Sequence, residues 1–126
     1  MTRWTKGRCH CGAVVFEARD RPRSILLCNC SICHMKGYLH WIIPRPDFRL
    51  LTPATALSTY RFGTGVAQHH FCRVCGITPY YIPRSDPDKI DVNARCLDGL
   101  DVDELPRQTF DGQNWEQAFA RYKGLT

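Results

Sequence analysis

The side chains best suited to chemistry in this chain are thiols. Of eight cysteines in 126 residues, seven fall into three tight groups: Cys9-His10-Cys11, Cys28-Asn29-Cys30-Ser31-Ile32-Cys33 and Cys72-Arg73-Val74-Cys75. Short C-x-C and C-x-x-C spacings place two sulfurs on one ion, and two such pairs complete the tetrahedral site that zinc prefers. Cys9 and Cys11 with Cys72 and Cys75 are therefore expected to form a closed, structural zinc site. Gly76 would permit the tight turn around the sulfurs. Such a site would clamp the N-terminal strand to the second half of the chain and add folding energy that a small core lacks. Paired spacing in a reducing compartment argues against disulfides.

Cys28, Cys30 and Cys33 then stand one ligand short. Three protein ligands and an open fourth position are the arrangement of a catalytic zinc. Three thiolates leave the centre negatively charged and weakly Lewis-acidic, so it suits a soft incoming thiol, which coordination would deprotonate. The chemistry expected is the making or breaking of bonds at the sulfur or carbon of a thiol adduct. The alternative is that Cys96 or a histidine closes the trio into a second structural site. Among His10, His34, His40, His69 and His70, His34 follows the trio directly and is the candidate proton carrier. His69 and His70 are adjacent on a strand, so at most one faces any given site. Lys36 and Arg73 are candidate cations for substrate carboxylates.

The formal charge of +5 weakens once metal is counted: seven thiolates against two dications lower it by three, to +2. Basic residues are scattered rather than gathered in a stripe, so no nucleic-acid partner is expected. No segment approaches the roughly 20 apolar residues of a membrane span, and the N-terminus lacks an apolar signal region, so a cytoplasmic location is expected. Length and composition fit one globular domain over residues 1–126.

The elements that must position these thiols are short strands punctuated by Gly and Pro, which argue for a mainly β fold. Strands are expected over 13–18, 24–27, 38–43, 48–51, 57–62, 67–71, 77–82 and 90–94, with one helical turn over 31–36 ending at Gly37. Only Asn114–Lys123 reads as a longer helix, with Trp115, Phe119 and Tyr122 on one face.

These motifs resemble the glutathione-dependent formaldehyde-activating enzyme family, which also includes centromere protein V. The resemblance is carried by Gly7-Arg8-Cys9-His10-Cys11-Gly12-Ala13-Val14, by the Cys28–Cys33 motif and by His70-Phe71-Cys72-Arg73-Val74-Cys75-Gly76-Ile77. It continues through Ile90–Asn93, Leu97-Asp98 and Phe110-Asp111-Gly112 to Asn114-Trp115-Glu116. It implies a β-tent of antiparallel sheets with two zinc ions, one structural on Cys9, Cys11, Cys72 and Cys75 and one catalytic in type on Cys28, Cys30 and Cys33. It also implies carbon–sulfur lyase chemistry on a glutathione-like thiol and an aldehyde such as formaldehyde. The family pattern commonly has an Arg or Gln-like residue where this chain has His34. The competing function is a non-catalytic zinc module of the same fold that binds a protein partner.

Overall fold

Trp4–Arg8 (β1) and Val15–Arg19 (β2) run antiparallel on either side of the first cysteine turn. In β2 the period-two alternation is plain, with Phe16 and Ala18 fully buried. Ile25–Cys28 (β3) delivers the trio, Ser31–Lys36 (α1) is a short helix closing at Gly37, and His40–Pro44 (β4) carries the chain back. Then follow Phe48–Leu50 (β5), Leu57–Tyr60 (β6), His69–Cys72 (β7), Tyr80–Tyr81 (β8), Lys89–Asn93 (β9), Arg107–Phe110 (β10) and the helix Trp115–Leu125 (α2). The structure, a computed structural model, describes residues 3–125; Met1, Thr2 and Thr126, which the single-domain expectation includes, lie outside the described residues.

Three sheets result: β1-β2-β5, β10-β3-β4-β9-β8 and the pair β6-β7. The fold is mainly β, as expected, with antiparallel pairing throughout except that β10 lies parallel to β3. Two strands were not expected. β1 (WTKGR) and β10 (RQTF) carry charged, polar and glycine residues with little hydrophobic pattern, and both run at sheet edges where backbone pairing suffices. The expected 77–82 strand contracts to Tyr80–Tyr81 because Pro79 has no N–H to donate, while its carbonyl accepts from Asn93 N at 3.0 Å.

The main core gathers Phe16, Ile25, Leu39, Ile43, Ile90 and Val92 between the sheets. Each large side chain so buried contributes about 1.5–3 kcal/mol. A smaller core of Cys9, Val14 and Cys72, packed by Leu50 and Leu57, surrounds the first thiol cluster. Among the described residues no helix is long and apolar enough to cross a membrane.

Candidate metal centres and thiol-binding cleft

The first cluster is built by two knuckles from distant strands. Cys9 follows β1 and Cys72 ends β7, while Cys11 and Cys75 sit in the turns beyond. The four sulfurs lie within 4.8 Å of one another and could hold a metal ion. Backbone N–H groups converge on them: Val14 N donates to Cys9 Sγ at 3.3 Å, Ala13 N to Cys11 Sγ at 3.5 Å, and Val74 N and Cys75 N to Cys72 Sγ at 3.4 and 3.5 Å. Such donors stabilise thiolates. Gly76 at φ 80° lets the second knuckle turn back, and its N–H closes on Cys72 O at 2.9 Å. Cys9 and Cys72 are each 1% exposed, so the site is sealed on its core side.

The second cluster forms where β3 passes into α1. Cys28 ends the strand, Cys30 holds the position before the helix and Cys33 lies within it. These three sulfurs also lie within 4.8 Å of one another, and no fourth Cys, His, Asp or Glu among the described residues joins them. Hydrogen bonds from Cys28 and then Cys33 favour the thiolate of Cys30, lowering its pKa to about 2. The reciprocal bond to Cys30 pushes Cys28 up to about 11, and Cys33 is raised by Cys28 and Cys30. An all-thiol set suits zinc or a similarly soft dication.

A second loop closes over the trio. Asn29 Nδ2 donates to Asp111 Oδ1 at 2.9 Å, Gln113 N donates to Asn29 Oδ1 at 3.0 Å, and β10 pairs Phe110 against Cys28. The approach is so close that a Cβ on Gly112 would lie 2.5 Å from Cys28 Sγ and 2.8 Å from Cys30 Cβ. Only glycine fits there.

The trio opens onto a cleft of about 530 Å³. Its lining is largely apolar, with Ile42, Phe62 and Phe110, the last packed edge-on against Trp115 and Tyr122 of α2, and it also includes His40, Tyr81 and Asp91. Arg84 also lines the cleft; its guanidinium lies 3.6 Å from the centre of the Trp115 ring and pairs with Glu116 at 2.8 Å. His69 faces this cleft, stacked on Tyr81 at 4.7 Å, and burial together with the charge of Lys36 lowers its pKa to about 4. His70 points elsewhere and shares a 2.8 Å hydrogen bond with Thr59, as strand alternation requires.

The remaining sequence candidates fall in several places. His34 is exposed and lines a shallower groove with Arg95 and Arg107, which shares Cys28 and Cys33 with the cleft. Lys36 donates to Thr78 Oγ1 at 2.8 Å; partial burial lowers its pKa and the charge of nearby Cys33 opposes that. Arg73 belongs to the first cluster's knuckle and donates to Thr55 O at 3.3 Å, away from the cleft. Cys96 does not join the trio: burial pushes it up to about 12, with Cys9 and Cys75 as its charged neighbours, and its Sγ lies 3.9 Å from Thr78 O. His10 is exposed beside the first cluster. His40, Asp91, Arg84 and Gly112 were not singled out for the site; polar residues inside the apolar strands of β4 and β9 were the available signal for the first two.

The fold and its two clusters define a class: a small mainly β protein with one four-thiol cluster and one three-thiol cluster on a cleft, each of which could hold a metal ion. Residues 4–115 match the family described as glutathione-dependent formaldehyde-activating enzyme, and the chain belongs to that family. A solved crystal structure of a Rhodobacter sphaeroides protein is 36% identical over 82% of this chain and 99% of that chain, with a TM-score of 0.72. The family description makes a glutathione-type thiol and formaldehyde the substrates to consider.

Proposed function

We propose that this protein is a zinc-dependent carbon–sulfur lyase-type enzyme that forms and cleaves the adduct of a glutathione-like thiol with formaldehyde or a related aldehyde. The observation that carries this reading is a three-thiol cluster, one ligand short, opening onto the largely apolar cleft. Zinc held there by Cys28, Cys30 and Cys33 would supply a soft position at which a thiol is favoured as its thiolate. The chain's own residues do the rest. Phe62, Phe110 and Trp115 keep water from the reacting carbon, and Gly112 allows the 110–114 loop to pack against the sulfurs. Arg84 at the cleft and Lys36 beside Cys33 offer cations to the carboxylates of the thiol. Cys9, Cys11, Cys72 and Cys75 would hold the second, structural zinc. Cysteines spaced for metal rather than for disulfides fit a reducing compartment such as the cytoplasm.

The test uses protein loaded with two cobalt ions per chain. Glutathione is expected to shift the charge-transfer bands of one site only, and the zinc form is expected to accelerate exchange between glutathione, formaldehyde and S-hydroxymethylglutathione. Bands indifferent to glutathione, with no acceleration of exchange, would sink the enzyme reading in favour of a non-catalytic zinc module.

A further inference from the structure

Beneath the cleft an Asp–His pair interrupts otherwise apolar strands. His40 on β4 is 3% exposed and Asp91 on adjacent β9 is 1% exposed. Asp91 sits opposite Ile42 in the ladder, so His40, two residues from Ile42, lies on the same face. Their side chains meet at Nδ1 and Oδ2, 2.7 Å apart. Tyr38 donates its hydroxyl to the Asp91 backbone oxygen at 2.6 Å and packs its ring 4.6 Å from the imidazole, while the Tyr81 hydroxyl lies 3.3 Å from Nδ1. This cage fixes the ring from three sides, yet His40 Nε2 and Asp91 Oδ1 are buried with no hydrogen-bond partner.

A buried polar atom left unpaired costs about 1–3 kcal/mol, so a pair retained only for packing would be expected to satisfy both. Here both unpartnered atoms belong to residues lining the cleft that holds the trio. His40 is nevertheless not one of the donors gathered with the three sulfurs, so its unpartnered nitrogen is not spent on the cluster.

We propose that His40 is the proton carrier of this cleft and that Asp91 is the positioning residue which fixes its tautomer. The proposal rests on the thiol-adduct reading above. With Nδ1–H donated to Asp91 Oδ2, Nε2 presents a lone pair. In the forming direction Nε2 takes the thiol proton, and the sulfur pair makes the C–S bond to the aldehyde carbon. The C=O π pair moves to oxygen, and Nε2 returns the same proton there. In the cleaving direction the hydroxyl proton passes to Nε2, the C=O bond re-forms, the C–S pair returns to sulfur and Nε2 hands the proton to that sulfur. One proton is borrowed and returned, so no further reactant is needed. His69 is a poorer proton acceptor, since burial and Lys36 lower its pKa to about 4.

The experiment is exchange NMR with carbon-13 formaldehyde and glutathione on the zinc-loaded protein. His40→Gln is expected to lose about 10²-fold of the acceleration while retaining both metals and the cobalt response to glutathione. Full acceleration by that variant would overturn the proposal and leave the lyase reading standing. Absence of acceleration by the wild-type protein would remove the lyase reading and this proposal with it. A second measurement needs no variant at His40: nitrogen-15 spectra should show the wild-type ring protonated at Nδ1 and bare at Nε2, and Asp91→Asn should shift protonation toward Nε2. A wild-type ring protonated at Nε2 alone would overturn the assignment even if the His40→Gln chain failed to fold.

Discussion

The two thiol clusters use the same ligand chemistry and differ in what surrounds it. Cys9, Cys11, Cys72 and Cys75 come from two knuckles joined across the fold, their sulfurs wrapped in backbone N–H donors and backed by a core of Val14, Leu50 and Leu57. Cys28, Cys30 and Cys33 come from one six-residue stretch, and their far side faces a cleft. A cross-link between distant strands removes chain entropy when metal binds, whereas a site within one turn constrains little beyond itself. The first cluster should therefore hold the fold and the second should be free to do chemistry.

The largest effect that would break this comparison comes from single serine substitutions. Cys72→Ser should remove metal from the first site and with it cooperative unfolding at neutral pH, since a structural zinc supplies free energy comparable to a domain's whole net stability of about 5–15 kcal/mol. Cys30→Ser should lose one metal and the glutathione response but melt within about 1 kcal/mol of wild type. Urea melts beside metal analysis decide it, and equal destabilisation by both variants would erase the distinction.

Cysteine spacing made both clusters legible because chelation by C-x-C and C-x-x-C is a local property. The helix face of Trp115, Phe119 and Tyr122 was legible for the same reason, and Trp115 and Phe119 stack at 4.7 Å as that periodicity implies. The His40–Asp91 pair was not, because 51 residues separate its members and only the β4/β9 register brings them together. Arg73, expected as a substrate cation, lies in the knuckle of the four-thiol cluster and does not line the cleft. Arg84, in a Pro/Asp-rich loop with no motif, reaches the cleft through its packing on Trp115. β10 was missed because Arg107, Gln108 and Thr109 are exposed, so no hydrophobic alternation marks the strand whose loop closes over the trio.

That loop offers a smaller and more selective perturbation. Gly112→Ala would place a methyl group 2.5 Å from Cys28 Sγ, so the loop or the ligand must move. Affinity at the second site should fall about 10- to 100-fold, the cost of disturbing a metal's supporting contacts, with the first site untouched. Stepwise cobalt titration separates the two, and a parallel loss at both sites would show that the clusters are not independent.

The smallest expected effect lies on the opposite wall of the cleft, where α2 is tied down by Asp86. This carboxylate is 2% exposed; it accepts from Tyr122 at 2.8 Å, Lys123 at 3.1 Å and Ser85 at 3.0 Å. Burial opposes its ionisation, but the bonds from Tyr122, Lys123 and Ser85 outweigh that and hold its pKa below the ordinary value. A lowered carboxylate pKa contributes stability that is complete above the unfolded value of about 3.9 and is lost as pH falls through the folded one. Asp86→Asn should therefore cost about 1–3 kcal/mol at neutral pH, and the gap from wild type should close below about pH 4. Because Tyr122 and Trp115 wall the cleft, the same variant should weaken glutathione binding at the trio while leaving the first cluster's metal in place. Urea melts across pH, paired with cobalt spectra at neutral pH, test both halves. A gap that persists at low pH would remove Asp86 ionisation as the tie, and loss of metal from the first cluster would mean that the cleft wall and the closed site share one cooperative unit.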